Sequence, residues 1–226
     1  MEVFQHFFGD PGTRDAIKVT FIMAISSTLI SAIIGIWLGL LLERHEFVGK
    51  KIIIRINRTL MGVPPVVVGL VVYMLLMKRG PLGFLSLLFT IRGMVFAQVL
   101  IITPIICGMT YTSAVKVAPA VRFFGQCIGA NEKQTQKLVR QELQRDLYFA
   151  IVTGFGRSIS EVGAVMIIGG NMKFHTRTMT TAISLLKSQG IFTEGVALGA
   201  LLLVMAFILQ WLADFLQKEK VEHENY

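Results

Sequence analysis

The sequence contains little charge for its length. Only 16% of its 226 residues are Asp, Glu, Lys or Arg, whereas soluble domains average about 25%. Hydrophobic residues make up 54% of the chain, and the mean hydropathy is +0.65. A membrane-spanning helix needs roughly 20 mainly apolar residues, and several stretches reach that length. An ordinary soluble domain is therefore excluded, and an all-α, polytopic membrane protein is predicted.

Several motifs of soluble and secreted enzymes are also missing. The two cysteines, Cys107 and Cys127, form no Cys-x-x-Cys pair, and neither they nor the scattered histidines show metal-ligand spacing. No G-x-x-x-x-G-K-[ST] loop occurs, so the chain cannot hydrolyse ATP by that route. The N-terminus lacks the basic start and the cleavage site of a signal peptide, so we expect the first span to remain in the mature chain.

Five apolar segments are predicted to span the membrane within a single domain that covers 1–226. A stripe of Ser and Gly in the first segment suits close packing between helices. Segment 81–91 is too short to cross, and we expect it to be re-entrant, interfacial or an early part of the third span. The predicted spans are approximately 17–42, 59–77, 94–113, 147–168 and 195–216.

The excess of basic residues gives a formal net charge of +8. Nucleic-acid binding is disfavoured because no basic stripe is interleaved with aromatic residues that stack on bases. The positive-inside rule instead explains basic residues that lie between apolar segments. One set of alternate loops contains thirteen Lys and Arg residues, and the other set contains eight. This difference predicts an outer N-terminus, a cytoplasmic C-terminus and a cytoplasmic 116–146 segment.

The second predicted span contains the adjacent prolines Pro64 and Pro65. Each proline removes a backbone N–H, so one interpretation is a kink or a local unwinding within the membrane. Broken backbone at that depth is tolerated where it is buried in protein or lines a cavity. The other interpretation is a helix that simply begins at one of these prolines. The sequence favours neither.

Segment 119–146 is polar and basic, and it is predicted to form two short helices separated by a bend. Pro119 suits the start of the first helix, and Gly129 suits the left-handed residue that ends it. Asn131 can cap the second helix, with Gln134 in the capping-box relation. Two interpretations stay open: insertion into a groove on a soluble partner, or an amphipathic helix on anionic lipid.

Arg157 and Glu161 are the ionisable residues of the fourth predicted span. They are four residues apart, so they can pair on one helical face, and Ser160 adds a hydroxyl. Paired charges inside a membrane usually face a bundle interior or a water path. Arg157 can therefore offer a cation to an anion while Glu161 tethers it; alternatively, the pair only fixes helix packing. In the following loop, Asn171 and its basic neighbours either receive an anion or form a solvated loop.

Several stretches resemble permeases of the ATP-binding-cassette importers. Cys127-Ile128-Gly129-Ala130 stands where the loop signature of these importers has a Leu-Gly-Ala core, and Val139 falls at its later apolar position. Phe123-Phe124-Gly125 and Gln141-Glu142 depart from that signature, which has Glu-Ala-Ala and Leu-Pro there. The stretch GRSISEVGAVMIIGGN from Gly156 resembles permeases for molybdate, sulfate and tungstate. The runs MGVPPVVVGL, RGPLGFLSLLFT and GGNMKFHTRTMTTAI are similar to the tungstate branch in particular.

The resemblance implies the permease subunit of a type I importer in a prokaryotic inner membrane, which carries tungstate by alternating access. Molybdate and sulfate are the alternative substrates. It also implies separate ATPase subunits that use ATP and Mg²⁺, an extracytoplasmic oxyanion-binding protein, and no cofactor or metal bound by this chain. Five spans are few for a pathway, so a two-fold homodimer is expected.

The resemblance also implies two groups of functional residues. The contact with the ATPase is expected at Phe124, Cys127, Ile128, Gly129, Ala130 and Asn131. The translocation path or gate is expected at Pro64, Pro65, Arg157, Ser160, Glu161 and Asn171.

Two other functions fit less well. A membrane-embedded enzyme needs clusters of His, Asp or Glu at membrane depth, and Glu161 is the clear acidic candidate there. A small channel or scaffold subunit would be indicated by ATP-independent flux through the purified protein.

Overall fold

The structure, a computed structural model, describes residues 10–223 as an all-helical chain. Within that range there are nine α-helices, one short 3-10 helix at Gly83–Leu85 and no β-strand, which confirms the all-α prediction. The α-helices are α1 Pro11–Arg44, α2 Lys50–Met61, α3 Pro65–Leu76, α4 Ile91–Cys127, α5 Glu132–Glu142, α6 Gln144–Ser160, α7 Gly163–Gly169, α8 Met179–Ser188 and α9 Phe192–His223.

Two of these helices, α1 and α4, are each long and apolar enough to cross a membrane. The bent pairs α2–α3 and α6–α7 each pass the same test as one broken span. A shorter apolar stretch, Phe192–Ile208, opens α9. Among the described residues, these stretches fall on the five segments in which spans are predicted.

Helices α1 and α4 pack closely because α1 carries small residues along one face. A Cβ atom placed on Gly35 would lie 2.9 Å from Cβ of Ile106, and one placed on Gly39 would lie 2.7 Å from Cβ of Thr110. The hydroxyl of Ser31 donates a hydrogen bond of 3.5 Å to the carbonyl of Val99. The Ser and Gly stripe is therefore a packing surface, as predicted.

The second predicted span, 59–77, is wrong in its first part. Thr59 belongs to α2, and the helix that follows begins at Pro65 with Pro64 as its N-cap. The axes of α2 and α3 differ by 104°. Pro65 thus occupies the first helical turn, where its missing N–H has no intrahelical partner to lose. The observed structure is therefore a helix that begins at Pro65, and the sharp turn between α2 and α3 lies immediately before this residue.

The fourth predicted span, 147–168, is not one continuous helix. It divides into α6 and α7, which are bent by 58° around Glu161 and Val162. Glu161 has an extended backbone (ψ 130°), and its carbonyl accepts a hydrogen bond of 3.0 Å from the hydroxyl of Thr180. Contacts with a distant segment therefore satisfy backbone groups that a continuous helix would pair internally.

Helix α4 continues well beyond the predicted third span, 94–113. Pro119 was predicted to begin a separate helix, but it lies inside α4, which ends only at Cys127. The extension is supported by apolar packing, because Ala114 and Ala118 are fully buried against Val139 of α5. Burial of this face outweighs the hydrogen bond that the proline removes.

Segment 81–91 forms an ordered connection between α3 and α4. The N–H of Leu82 donates to the carbonyl of Leu75, and the N–H of Phe89 donates to the carbonyl of Ile168, both at 2.9 Å. The hydroxyl of Thr90 then accepts the N–H of Gly93 at 3.1 Å and caps α4. The segment is therefore a capped turn with one 3-10 helix, and it does not belong to the third span.

Candidate functional site

The first candidate region is a helical hairpin, defined here as residues 119–146, which is formed by the end of α4, a tight turn, α5 and the start of α6. The two arms approach so closely that a Cβ atom on Gly125 would lie 2.9 Å from Oγ1 of Thr135. Glycine at this position is what allows the arms to pack. The predicted bend is thus a helix reversal at the end of a long α4.

The hairpin turn has the local geometry that the sequence predicts. Gly129 is left-handed (φ 70°), and the N–H of Ala130 donates to the carbonyl of Gly125 at 2.9 Å. This is the long bond of a Schellman motif. Asn131 caps α5: its Oδ1 accepts the N–H of Gln134 at 2.9 Å, while Oε1 of Gln134 accepts the N–H of Asn131 at 2.8 Å. The predicted capping box is confirmed.

The tip of the hairpin presents apolar side chains to the outside. Phe123, Phe124 and Ile128 are 70%, 58% and 58% exposed, and Cys127 is exposed as a free thiol. Large apolar side chains that are exposed next to one another are typical of surfaces that bind a partner or a membrane. The predicted contact residues from Phe124 to Asn131 all lie on this tip.

The base of the hairpin is anchored in the bundle. Buried Ala114, Ala118, Val139 and Leu143 form a cluster against which Leu40 of α1 also packs. Two ion pairs connect the same region to the end of α1: Arg122 with Glu43, and Arg44 with Glu132. Neither pair was predicted, because partners 79 and 88 residues apart leave no signal in local sequence patterns.

The second candidate region is the crossing of the two broken helix pairs. A Cβ atom on Gly69 of α3 would lie 2.7 Å from Cα of Ala164 in α7, and Gly163 is in contact with Val66. Glycine therefore permits the backbones of α3 and α7 to touch. The break before Pro65 and the break after Ser160 consequently lie side by side.

Arg157 and Glu161 meet across the second of these breaks. Nη2 of Arg157 is 3.5 Å from Oε2 of Glu161, which confirms the predicted pair. The predicted shared helical face is wrong, because α6 ends at Ser160 and Glu161 lies beyond it. Oε1 of Glu161 accepts the N–H of Ala164 at 3.2 Å and so stabilises the start of α7.

The two charged side chains differ in their access to solvent. The side chain of Glu161 is only 5% exposed, whereas that of Arg157 is 37% exposed. Ser160 is exposed beside it, and its hydroxyl donates to the carbonyl of Arg157 at 3.1 Å. The arrangement presents a cation and leaves its counter-ion buried behind it.

Buried hydroxyl groups connect this crossing to the rest of the bundle. Ser158 of α6 lies 2.9 Å, Oγ to Oγ, from Ser27 of α1. The hydroxyl of Thr20 accepts the N–H of Met179 at 2.9 Å and so holds the start of α8 against α1. The sequence motifs did not indicate these two contacts.

Asn171, the remaining predicted path residue, makes its observed side-chain contacts within the loop after α7 and with α8. It is left-handed (φ 51°), its Oδ1 accepts Nε of Arg177 at 3.2 Å, and its Nδ2 donates to the carbonyl of Thr181 at 3.4 Å. Asn171 thus holds Arg177 and α8 in place. Across residues 10–223, no group of three or more His, Cys, Asp or Glu side chains could hold a metal ion.

The sequence matches, over residues 18–221, the family described as binding-protein-dependent transport system inner membrane component. The chain belongs to this family. It is therefore a permease component of a transport system in the inner membrane, and not an enzyme.

Individual relatives and a solved structure agree with this membership. The tungstate uptake system permease protein TupB of Peptoclostridium acidaminophilum is 39% identical over 97% of this chain and 95% of its own length. TupB of Campylobacter jejuni is 35% identical over 96% and 90%. A bacterial ABC transporter that imports the acidic polysaccharide alginate has the same fold, with a TM-score of 0.78 and 18% identity over 97% of this chain and 83% of its own.

Proposed function

We propose that this chain is the tungstate-carrying permease subunit of an ATP-binding-cassette importer. The observation that carries the proposal is the 39% identity, along nearly the whole chain, to a permease named for tungstate uptake. Molybdate and sulfate are the alternative cargoes, because all three are tetrahedral dianions and offer a permease similar chemistry.

In this proposal the crossing of the broken helices forms the path. Arg157 presents its cation to the anion, and Glu161 keeps the arginine in place. Ser160 would turn its hydroxyl from the carbonyl of Arg157 to the anion. Broken helices are the usual way in which transporters place backbone and side-chain groups at membrane depth. Pro64 and Pro65 lie at the start of the neighbouring helix, α3. Movement at the break before α3 would therefore open or close the path.

The hairpin is the proposed contact with a separate ATPase subunit. Its exposed apolar tip, which includes Phe124 and Ile128, suits a groove on a soluble partner. ATP and Mg²⁺ would be bound by that partner and not by this chain. Closure of the partner would push the hairpin, and the push would reach α6 through Leu143, the residue that joins α5 to α6.

The remaining partners follow from the family and from the charge distribution. A homodimer would complete the path, because one copy has few spans, and an extracytoplasmic binding protein would deliver the anion. The excess of thirteen over eight basic residues in alternate loops supports an outer N-terminus and a cytoplasmic hairpin. The loop that contains Asn171, Lys173, His175 and Arg177 would then face the binding protein.

The test is accumulation of each oxyanion by cells in which this system is the only high-affinity importer. We expect ATP-dependent accumulation of tungstate at concentrations at which molybdate and sulfate compete weakly. Equal competition by molybdate would overturn the tungstate assignment but leave an oxyanion importer. Flux that persists without ATP would contradict the importer itself and favour a channel.

A further inference from the structure

The ion pair between Glu43 and Arg122 connects the end of α1 to the base of the hairpin. Nη1 and Nη2 of Arg122 donate to Oε1 and Oε2 of Glu43 at 2.8 and 2.6 Å, so the pair is bidentate. The two residues are 79 positions apart and lie on different helices. The pair therefore joins two segments that the chain itself does not connect nearby.

Its geometry distinguishes this pair from an ordinary surface salt bridge. The Glu43 side chain is 8% exposed and that of Arg122 is 37% exposed, whereas the neighbouring pair Arg44–Glu132 is 42% and 75% exposed. A bidentate guanidinium–carboxylate contact fixes orientation as well as distance. Because the carboxylate is buried, removal of Arg122 alone would leave an uncompensated charge.

Apolar packing at the same place makes the connection stiff. Leu40, one turn before Glu43, packs against the buried cluster that contains Ala118 and Val139 of the hairpin. Gly39 lies against Thr110 of α4 in close contact. The end of α1 is thus held to the hairpin by an ion pair on one side and by close packing on the other.

From this end, α1 runs to the region of the helix crossing. Ser27 is sixteen residues before Glu43, or about 24 Å along a helix, and it contacts Ser158 next to Arg157. Nearer the start of α1, the hydroxyl of Thr20 accepts a hydrogen bond from the N–H of Met179. Helix α1 is therefore a rigid element in contact with both candidate regions.

We propose that Glu43 and Arg122 are positioning residues that pass movement of the hairpin to α1, and through α1 to the helix crossing. This inference rests on the proposed function, in which an ATPase moves the hairpin. It adds a second route beside the direct one through α6. The pair lies between the hairpin and α1, away from the helix crossing, and it determines how much of the hairpin movement reaches the path.

The experiment uses the complete complex of permease, ATPase and binding protein in proteoliposomes. The measured quantity is the number of anions imported per ATP hydrolysed, together with the amount of ATPase bound to the permease and the thermal stability of the complex. The test variant is the double substitution E43L/R122M, which removes both charges and keeps apolar packing. The matched control is E46Q/K50Q, which removes the pair Lys50–Glu46, whose two partners are only four residues apart at the connection between α1 and α2.

Replacement of a buried ion pair by apolar residues of similar size is commonly neutral for stability. We therefore expect E43L/R122M to assemble normally and to import about three- to tenfold fewer anions per ATP, within the range of coupling changes that non-contacting residues cause. The control should retain the wild-type ratio. The charge exchange E43R/R122E should recover most of the ratio, which a loss of packing alone would not do.

An unchanged ratio in E43L/R122M would overturn the inference and leave the proposed function intact. So would equal losses in E43L/R122M and E43R/R122E together with lower thermal stability, because the pair would then be only structural. Absence of ATP-dependent import by the wild-type complex would overturn the proposed function, and this inference with it.

Discussion

The hairpin tip and the helix crossing both depend on glycine and on one polar side chain, but the contacts of these residues differ between the two regions. At the tip, Gly129 and Asn131 build a turn from hydrogen bonds between neighbours in sequence, and the apolar side chains remain exposed. At the crossing, Gly69 and Gly163 bring distant backbones together, and the charge of Glu161 is buried. An exposed turn such as the tip can therefore be encoded locally, whereas a close crossing of buried helices depends on the whole fold.

The largest effect is expected from charges placed on the hairpin tip. Substitution of Phe124 and Ile128 by Asp would put two carboxylates where an apolar contact is proposed. A lost interface hot spot costs 2 kcal/mol or more, so we expect ATPase binding to weaken by about thirtyfold or more. Co-purification of the ATPase with the permease measures this.

The matched control for the tip is Phe84→Asp. Phe84 is also an exposed aromatic residue, at 78%, but it lies in the turn before α4. It should leave ATPase binding unchanged. If the tip variant and the control bound the ATPase equally well, the tip would not be the contact surface. That result would favour the alternative in which the segment lies on anionic lipid as an amphipathic helix.

The next effect concerns folding at the crossing. Gly69→Ala places a Cβ atom 2.7 Å from the Cα of Ala164, and a backbone atom cannot move aside as a flexible side chain can. Overpacking of this kind costs about 1–3 kcal/mol, so the thermal stability of the purified permease should fall. Gly199→Ala in α9 is the control, because no atom lies within 4 Å of its added Cβ. Equal stability of both variants would mean that α3 and α7 do not touch here.

A smaller effect is expected from removal of the charge at Arg157. If Arg157 contacts the anion, Arg157→Gln should lower the initial uptake rate by about tenfold, or 1.4 kcal/mol, at normal assembly. Arg79→Gln, at an exposed arginine in the turn after α3, is the control. Unaltered uptake, or uptake that falls only in proportion to the amount of folded protein, would make Arg157 a packing residue.

The smallest effect is expected from the cap of α5. Asn131→Ala removes one capping partner and should cost about 1 kcal/mol, while Asn131→Asp retains an acceptor and should cost less. Hydrogen exchange of the first amides of α5 measures the change. Equal exchange in the two variants would show that tertiary contacts, and not the cap, hold the turn.

The sequence predicted those features that depend on neighbouring residues. The hydropathy and the low charge predicted an all-helical membrane protein, and the chain is all-helical over the described range. The Gly129 turn, the Asn131 capping box and the Arg157–Glu161 pair were each predicted from residues within four positions of one another. Each of these interactions joins residues that are close in sequence, so their pattern is visible without a fold.

Other features were mispredicted or missed for the opposite reason. Pro119 looks like a helix start, yet packing of Ala118 against the hairpin carries α4 through it. The segment around Glu161 looks like continuous helix, yet the hydroxyl of Thr180 donates a hydrogen bond to the carbonyl of Glu161 where the helix is broken. In each case a contact from another segment outweighs the local preference.

Local sequence patterns are thus sufficient to predict a membrane protein, the approximate places of its apolar segments and the turn of the hairpin. The positions at which those segments break, the placement of the two breaks side by side and the contact of Glu43 with Arg122 across 79 residues depend on the fold. The two groups of features differ in the range over which the stabilising interactions act. Apolar transfer and helix capping act within a segment, whereas close packing at glycine and pairing of buried charges require two segments to have already found each other.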